Sequence, residues 1–242
     1  MVHEKGTFFT YDDLIKNRPR YLFSPRRSAR QLDVDAQISA RFYRLAMRST
    51  VHATERRKAV FCVLPPGAVV GNSALVEKHP ARRRVRDALT VLAIGNSWCF
   101  DFAARLRMGT NLNQFILRSL PWPRLDPLME RFLAHSALRL SCNHEAFRAL
   151  WEEVLGESWH ERGPRLTWPV VREPIDRSIL RAAIEAVVAH AFRLDRAVLA
   201  RILSAAGSGL AEGEVEAILG SFDEAGRLDT FIERHDPYLG FS

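Results

Sequence analysis

The chain has 242 residues, 47% hydrophobic and 10% aromatic, enough for one large packed domain or two small ones and too apolar for a disordered chain. Cys62, Cys99 and Cys142 are widely spaced in apolar surroundings, which argues against a disulfide framework or a CxxC metal site and predicts buried free thiols. The net charge of +7 is unevenly placed: residues 1–124 carry 22 Lys and Arg against 9 Asp and Glu, net +13, and residues 125–242 carry 13 against 19, net −6. A concentrated positive half attracts a polyanion by releasing its counterions, so the first half is expected to contact nucleic acid.

In chain order, residues 8–14 and 20–23 read as short extended or irregular pieces limited by Pro19 and Pro25. Arg18, Arg20, Arg26, Arg27 and Arg30 form a basic run that suits a solvated arm as well as phosphate contact. Residues 42–48 alternate as a strand, and residues 57–63 (RKAVFCV) read as a buried strand ended by Pro65-Pro66-Gly67. Residues 68–76 return as another strand with a bulge or turn at Gly71-Asn72, and together these pieces predict a mixed sheet. The charged segment ARRRVR at 81–86 leads into a helix over residues 86–107, whose core face holds Leu89, Leu92, Ala93, Trp98, Phe100 and Phe102. Asp101 precedes Arg105 by four residues, the spacing of a solvated helix pair.

Residues 96–124 concentrate the polar chemistry. A helical run carrying Arg105 and Arg107 breaks at Gly109, Thr110-Asn111-Leu112-Asn113-Gln114 follows, and a short apolar run ends in Pro121-Trp122-Pro123. Asn and Gln donate and accept side by side, as bidentate pairing to adenine requires, and Arg does the same for guanine or phosphate. On chemistry alone, helix capping and turn formation by Asn111 and Asn113 is the favoured reading of the two.

Beyond Arg124 the reading is helical. Residues 128–140 and 144–155 show helical spacing, a Gly/Trp/Pro-rich link covers 156–174, and 176–204 is amphipathic with a turn near Leu194-Asp195-Arg196. A helix near residues 213–219 and an irregular tail follow. The chain holds no GxGxxG, GxxxxGK[ST], HExxH or GxSxG, and His135, His144 and His190 are scattered over helical segments as surface or core residues, so no catalytic or metal-binding residue is nominated. Asp236-Pro237-Tyr238 resembles the (D/N)PP(Y/F) loop of adenine methyltransferases but lacks the second proline and is expected at an exposed terminus.

A wider resemblance rests on Asn96-Ser97, Phe100-Asp101-Phe102, Arg105, Gly109 to Asn113, Phe115-Ile116-Leu117, Leu120-Pro121 and Pro123 in that order. This run resembles the "NS…FDF…R…GTNLN.F.L..LP.P" segment of large restriction-modification and phage-defence adenine-specific DNA methyltransferases (type IIG-like), in the target-recognition region behind their methyltransferase domain. Upstream, Tyr43-Arg44-Leu45-Ala46, Arg48, Thr54-Glu55-Arg56, Pro65-Pro66-Gly67 and Gly71-Asn72 are similar to that family's "YRLA.R … TNERT … PPG … GN". Downstream, residues 137–142 and 181–203 resemble its helical C-terminal part.

Two departures stand out: Ala53-Thr54-Glu55-Arg56-Arg57 replaces "TNERT", and about forty residues before Tyr43 cannot hold a methyltransferase domain. The resemblance therefore implies an α+β chain, with a basic target-recognition-like domain at 1–124 carrying the mixed sheet and an acidic, mainly helical domain at 125–242. It implies a non-catalytic specificity subunit or fragment that binds double-stranded DNA. Arg44, Arg48, Arg56, Arg57, Arg82, Arg83, Arg84, Arg105, Arg107, Thr110, Asn111, Asn113 and Gln114 are its expected contacts. No cofactor is expected in this chain; S-adenosylmethionine would bind a partner methyltransferase or other defence-system subunit. The alternatives are the C-terminal piece of a split methyltransferase and a scaffold that binds a methylase without reading DNA. The longest apolar runs fall short of the ~20 residues of a membrane helix and residues 1–10 lack a secretory pattern, so a soluble cytoplasmic protein is expected.

Overall fold

The computed structural model describes residues 39–240 apart from positions 53, 72, 78–79, 158, 160–170, 172, 206–209 and 212. The expected pieces at 8–14 and 20–23, the basic run at 18–30 and the turn residue Asn72 lie outside the described residues. Strand β1 (Arg44–Arg48) is central in a three-stranded sheet, with β2 (Phe61–Leu64) on one side and β3 (Ala74–Val76) on the other. Both pairings are antiparallel, Leu45 facing Val63 and Met47 facing both Phe61 and Leu75. The expected mixed sheet is therefore antiparallel among the described residues: loops connect its strands, and parallel pairing would need a long crossover. In β2, Phe61 and Val63 turn inward and Cys62 outward, so this thiol is exposed while Cys99 and Cys142 are buried as expected.

The helix expected over 86–107 is two helices, α1 (Val85–Gly95) and α2 (Trp98–Arg105). Ser97 separates them: its Oγ donates to the Ile94 carbonyl at 2.7 Å and accepts the Phe100 N–H at 3.2 Å, which makes it the cap of α2. A short α3 (Gln114–Ser119) precedes α4 (Pro127–Ser141), which opens on an Asp126 cap with Pro127 at its first position. Then come α5 (Arg148–Leu155), α6 (Pro174–Ala191), α7 (Arg196–Ala205), α8 (Glu214–Glu224) and α9 (Leu228–His235). Every residue from Ala182 to Ala189 is buried, which makes α6 the central helix, packed on α2, α4 and α8. No described helix is long and apolar enough to cross a membrane.

One hydrophobic cluster draws on both sides of Arg124, from Met47, Phe61 and Leu92 through Leu133 and Val187 to Tyr238. The expected irregular, exposed tail is instead helix α9 followed by a buried turn. Tyr238 is fully buried, its ring 5.7 Å from that of Trp151, and Asp236 Oδ2 lies 2.8 Å from His135 Nδ1 in the core. Asp236-Pro237-Tyr238 is an anchor on α4, not a solvent-facing loop.

Candidate nucleic-acid interface

The segment Gly95 to Asp101 locks α1 and α2 onto the edge strand β2. The Asn96 amide imitates a neighbouring strand: its Oδ1 accepts the Phe61 N–H at 2.9 Å and its Nδ2 donates to the Phe61 carbonyl at 3.0 Å. Gly95 lies so close beneath the Phe61 ring that a Cβ would stand 2.6 Å from Cδ2, inside any tolerated contact. Asp101 is fully buried; its Oδ1 accepts the N–H groups of Lys58 at 2.6 Å and Ala59 at 2.8 Å, and its Oδ2 accepts from Arg105 Nε at 2.5 Å. The expected solvated Asp101–Arg105 pair is therefore a buried tie between a helix and the run into β2. Among the described residues no strand lies beyond β2, and the backbone N–H groups of Lys58 and Ala59 find their acceptor in Asp101 instead.

Most of the expected arginine contacts are engaged inside the protein. Arg44 is 6% exposed, donates to the Ala68 carbonyl, and has its guanidinium pKa lowered by burial. Arg48 pairs with Glu55 at 3.1 Å and donates to the Arg57 carbonyl. Arg57 donates to the Asn96 carbonyl at 2.6 Å, lies over the Trp98 ring at 3.5 Å, and faces Glu185 at 3.6 Å. Arg83 forks onto Glu77, whose Oε2 also accepts the Leu45 N–H of β1 at 3.1 Å. Arg84 bridges Asp87 and Glu130, and Arg105 binds Asp101 and the Arg56 carbonyl. These side chains join the loops to the sheet and helices, Arg84 doing so from an exposed position; Arg56 and Arg82 are also exposed.

The remaining expected residues share one segment. Val51 N–H donates to the Thr110 carbonyl at 3.0 Å and Leu112 N–H to the Ser49 carbonyl at 2.9 Å, an antiparallel bridge pairing Thr50 with Asn111 just beyond β1. The Leu112 side chain is fully buried. This pins the backbone while the side chains of Arg107, Thr110, Asn111, Asn113 and Gln114 stay exposed. Asn113 caps α3, its Oδ1 accepting the Ile116 N–H at 2.9 Å. Arg107 reaches back to the Ser119 carbonyl at 3.4 Å, beside the end of α3. Three neighbours were missed in the sequence: Phe115, 83% exposed, Arg118 and Leu106, 70% exposed. Phe115 and Leu106 were read as part of apolar runs, yet α3 buries none of its residues. Pinned backbone with exposed amide, guanidinium and aromatic groups suits contact with base edges, phosphates and base faces.

A second concave feature lies away from this segment. A cleft of about 440 Å³ is bounded by α1, α6, α8 and the loop carrying Arg56 and Arg57. On its α6 wall are Arg177, Arg181 and Glu185, none of them singled out by the sequence because they fall in the acidic half. Glu185 is buried, accepts the Trp98 N–H at 2.8 Å, and has its carboxyl pKa pushed up to about 7 by burial, against the opposing pull of Arg57. No group of three or more His, Cys, Asp or Glu residues placed to hold a metal occurs among the described residues. No family model, curated protein or solved structure matches the chain.

Proposed function

We propose that the chain is a non-catalytic DNA target-recognition subunit that works with a methyltransferase chain in restriction-modification or phage defence. The observation that supports it best is the pinned segment 106–118, whose backbone is tied to residues 49–51 just beyond β1 while Arg107, Asn111, Gln114, Phe115 and Arg118 face solvent. The same segment carries the resemblance to the recognition region of adenine methyltransferases, and it lies in the half of net charge +13. In this reading Arg107 and Arg118 position the backbone of the duplex, Asn111 and Gln114 meet base edges, and Arg44, Arg57, Arg83 and Arg105 hold the platform. S-adenosylmethionine and the transfer chemistry belong to the partner.

Fluorescence anisotropy with a labelled duplex across a salt series tests this reading. Two neutralised phosphates, one each for Arg107 and Arg118, predict a slope of log K against log salt of about −2. Arg107→Ala and Arg118→Ala should each make that slope shallower by about 1, whereas Arg84→Ala, whose guanidinium serves Asp87 and Glu130, should leave it unchanged. Absence of duplex binding by the full chain at low salt overturns the proposal.

A further inference from the structure

We propose that the cleft between α1, α6 and α8 is a binding site for a small phosphate-bearing molecule, with Arg177 and Arg181 as its anion-holding pair. Arg177 and Arg181 are one helical turn apart on α6 and line the same cleft. Like charges at this spacing repel, so the pair weakens the helix unless an anion sits between them. Arg177 is oriented by backbone alone, donating to the carbonyls of Val171 at 3.1 Å and Leu140 at 3.0 Å. Among the described residues no carboxylate lies within ion-pair distance of either guanidinium. Burial, and after it the charge of Arg181, lowers the pKa of Arg177.

Two other charged side chains of the cleft are engaged locally. Arg57 faces Glu185 at 3.6 Å and lies over the Trp98 ring, and Glu214 accepts the Ala211 N–H at 2.6 Å in its own helix turn. The lining carries four arginines, Arg56, Arg57, Arg177 and Arg181, against two glutamates, Glu185 and Glu214, so the cleft keeps an excess of positive charge. A guanidinium fork matches the oxygens of a phosphate better than a point charge does. The volume falls within the roughly 300–1,000 Å³ of small-molecule sites, and the lining sets apolar side chains such as Leu92 and Ile218 beside its charged and polar ones. A duplex carries its phosphates on a convex ridge that does not enter such a recess, so the site is separate from the segment 106–118 and does not depend on the DNA reading.

Isothermal titration calorimetry on the full chain, with inorganic pyrophosphate and adenosine 5′-monophosphate as probes and a 5′-phosphorylated single-stranded oligonucleotide as a third arm, decides the matter. The expected result is saturable binding of pyrophosphate or the monophosphate with a dissociation constant below about 1 mM. It should weaken at least tenfold in Arg181→Ala, an exposed position, and in Arg177→Lys, with duplex affinity unchanged in both. No saturable binding of either small probe, affinity unchanged in both variants, or binding of the oligonucleotide alone would overturn the assignment.

Discussion

Replacing Asp101 by Asn tests the internal tie on which the proposed recognition platform rests. Three donors converge on this buried carboxylate: the Lys58 and Ala59 N–H groups on one oxygen and Arg105 Nε on the other. An amide has one oxygen. If that oxygen stays with the two backbone groups, the new NH₂ meets the Arg105 guanidinium donor to donor; if it turns to Arg105, two buried N–H groups lose their acceptor. Each buried unsatisfied group costs about 1–3 kcal/mol and breaking a buried charge pair about 3–5 kcal/mol. The Arg105 side chain is 23% exposed and can rehydrate, so the lower end applies and a loss of about 3 kcal/mol is expected. Against a typical folding stability of about 5–15 kcal/mol, that is a large fraction. Urea denaturation followed by circular dichroism measures it, and a cycle with Arg105→Met isolates the pair, for which a coupling of at least about 1 kcal/mol is expected. Under native conditions Asp101→Asn should still bind duplex DNA. A stability loss below about 1 kcal/mol, or a variant of full stability that no longer binds, would refute the assignment of Asp101 to the platform.

Gly95→Ala should cost about 1–3 kcal/mol, because the added methyl meets the Phe61 ring at 2.6 Å, and Phe61→Leu in the same chain should return part of the loss in the same denaturation assay. Glu185 has a folded pKa raised to about 7 above its ordinary 4.5, so the folded state holds the extra proton. Its contribution is greatest below the ordinary value and falls as pH rises to about 7, by up to about 3 kcal/mol. Glu185→Gln should therefore flatten the melting temperature between pH 5 and pH 8, and an unchanged pH slope counts against it. Tyr238→Ala empties a fully buried aromatic site against Trp151 and should lower stability by about 3–5 kcal/mol, where a surface tail would lose almost nothing.

The parts that were readable in the sequence are those governed by local pattern. Helices α4 and α6 follow apolar spacing and proline starts, and the turn between α6 and α7 falls where Leu194-Asp195-Arg196 marked it. What escaped depends on partners far along the chain. Asp101 and Arg105 have helix-pair spacing, but Asp101 also meets Lys58 and Ala59, more than forty residues upstream, and only the packed structure shows that. Asn96 and Ser97 split a continuous apolar run because Asn96 bonds Phe61 and Ser97 caps α2, a choice that hydrophobic periodicity cannot reveal. The tail looked polar around Asp236, yet Asp236 meets His135 and Tyr238 enters the core, contacts that span about one hundred residues. Basic composition pointed to residues 1–124 but could not separate Arg44, which is buried, from Arg118, which is exposed.

The run 96–113 thus contains two kinds of residue under one motif. Asn96, Ser97, Asp101 and Arg105 build the platform, and the side chains after Gly109 stand on it. Asn113 lies on the border, because one oxygen serves as the α3 cap and its residue is exposed. Asn113→Ser separates the two roles, since serine caps about as well as asparagine but has no amide to pair with a base. With the oxygen committed to the Ile116 N–H, Asn113→Ser should keep stability within about 0.5 kcal/mol and leave duplex affinity unaltered. Asn111 has its backbone in the bridge to Thr50 and its side chain exposed, so Asn111→Ala should weaken binding to a recognised sequence by about 1–3 kcal/mol with little effect on folding. If Asn113→Ser loses as much affinity as Asn111→Ala, the cap does not exhaust the role of Asn113 and the base-contacting edge extends onto α3. If neither changes affinity, Asn111 and Asn113 do not read bases, and of the exposed amides of this segment Gln114 alone is left for that role.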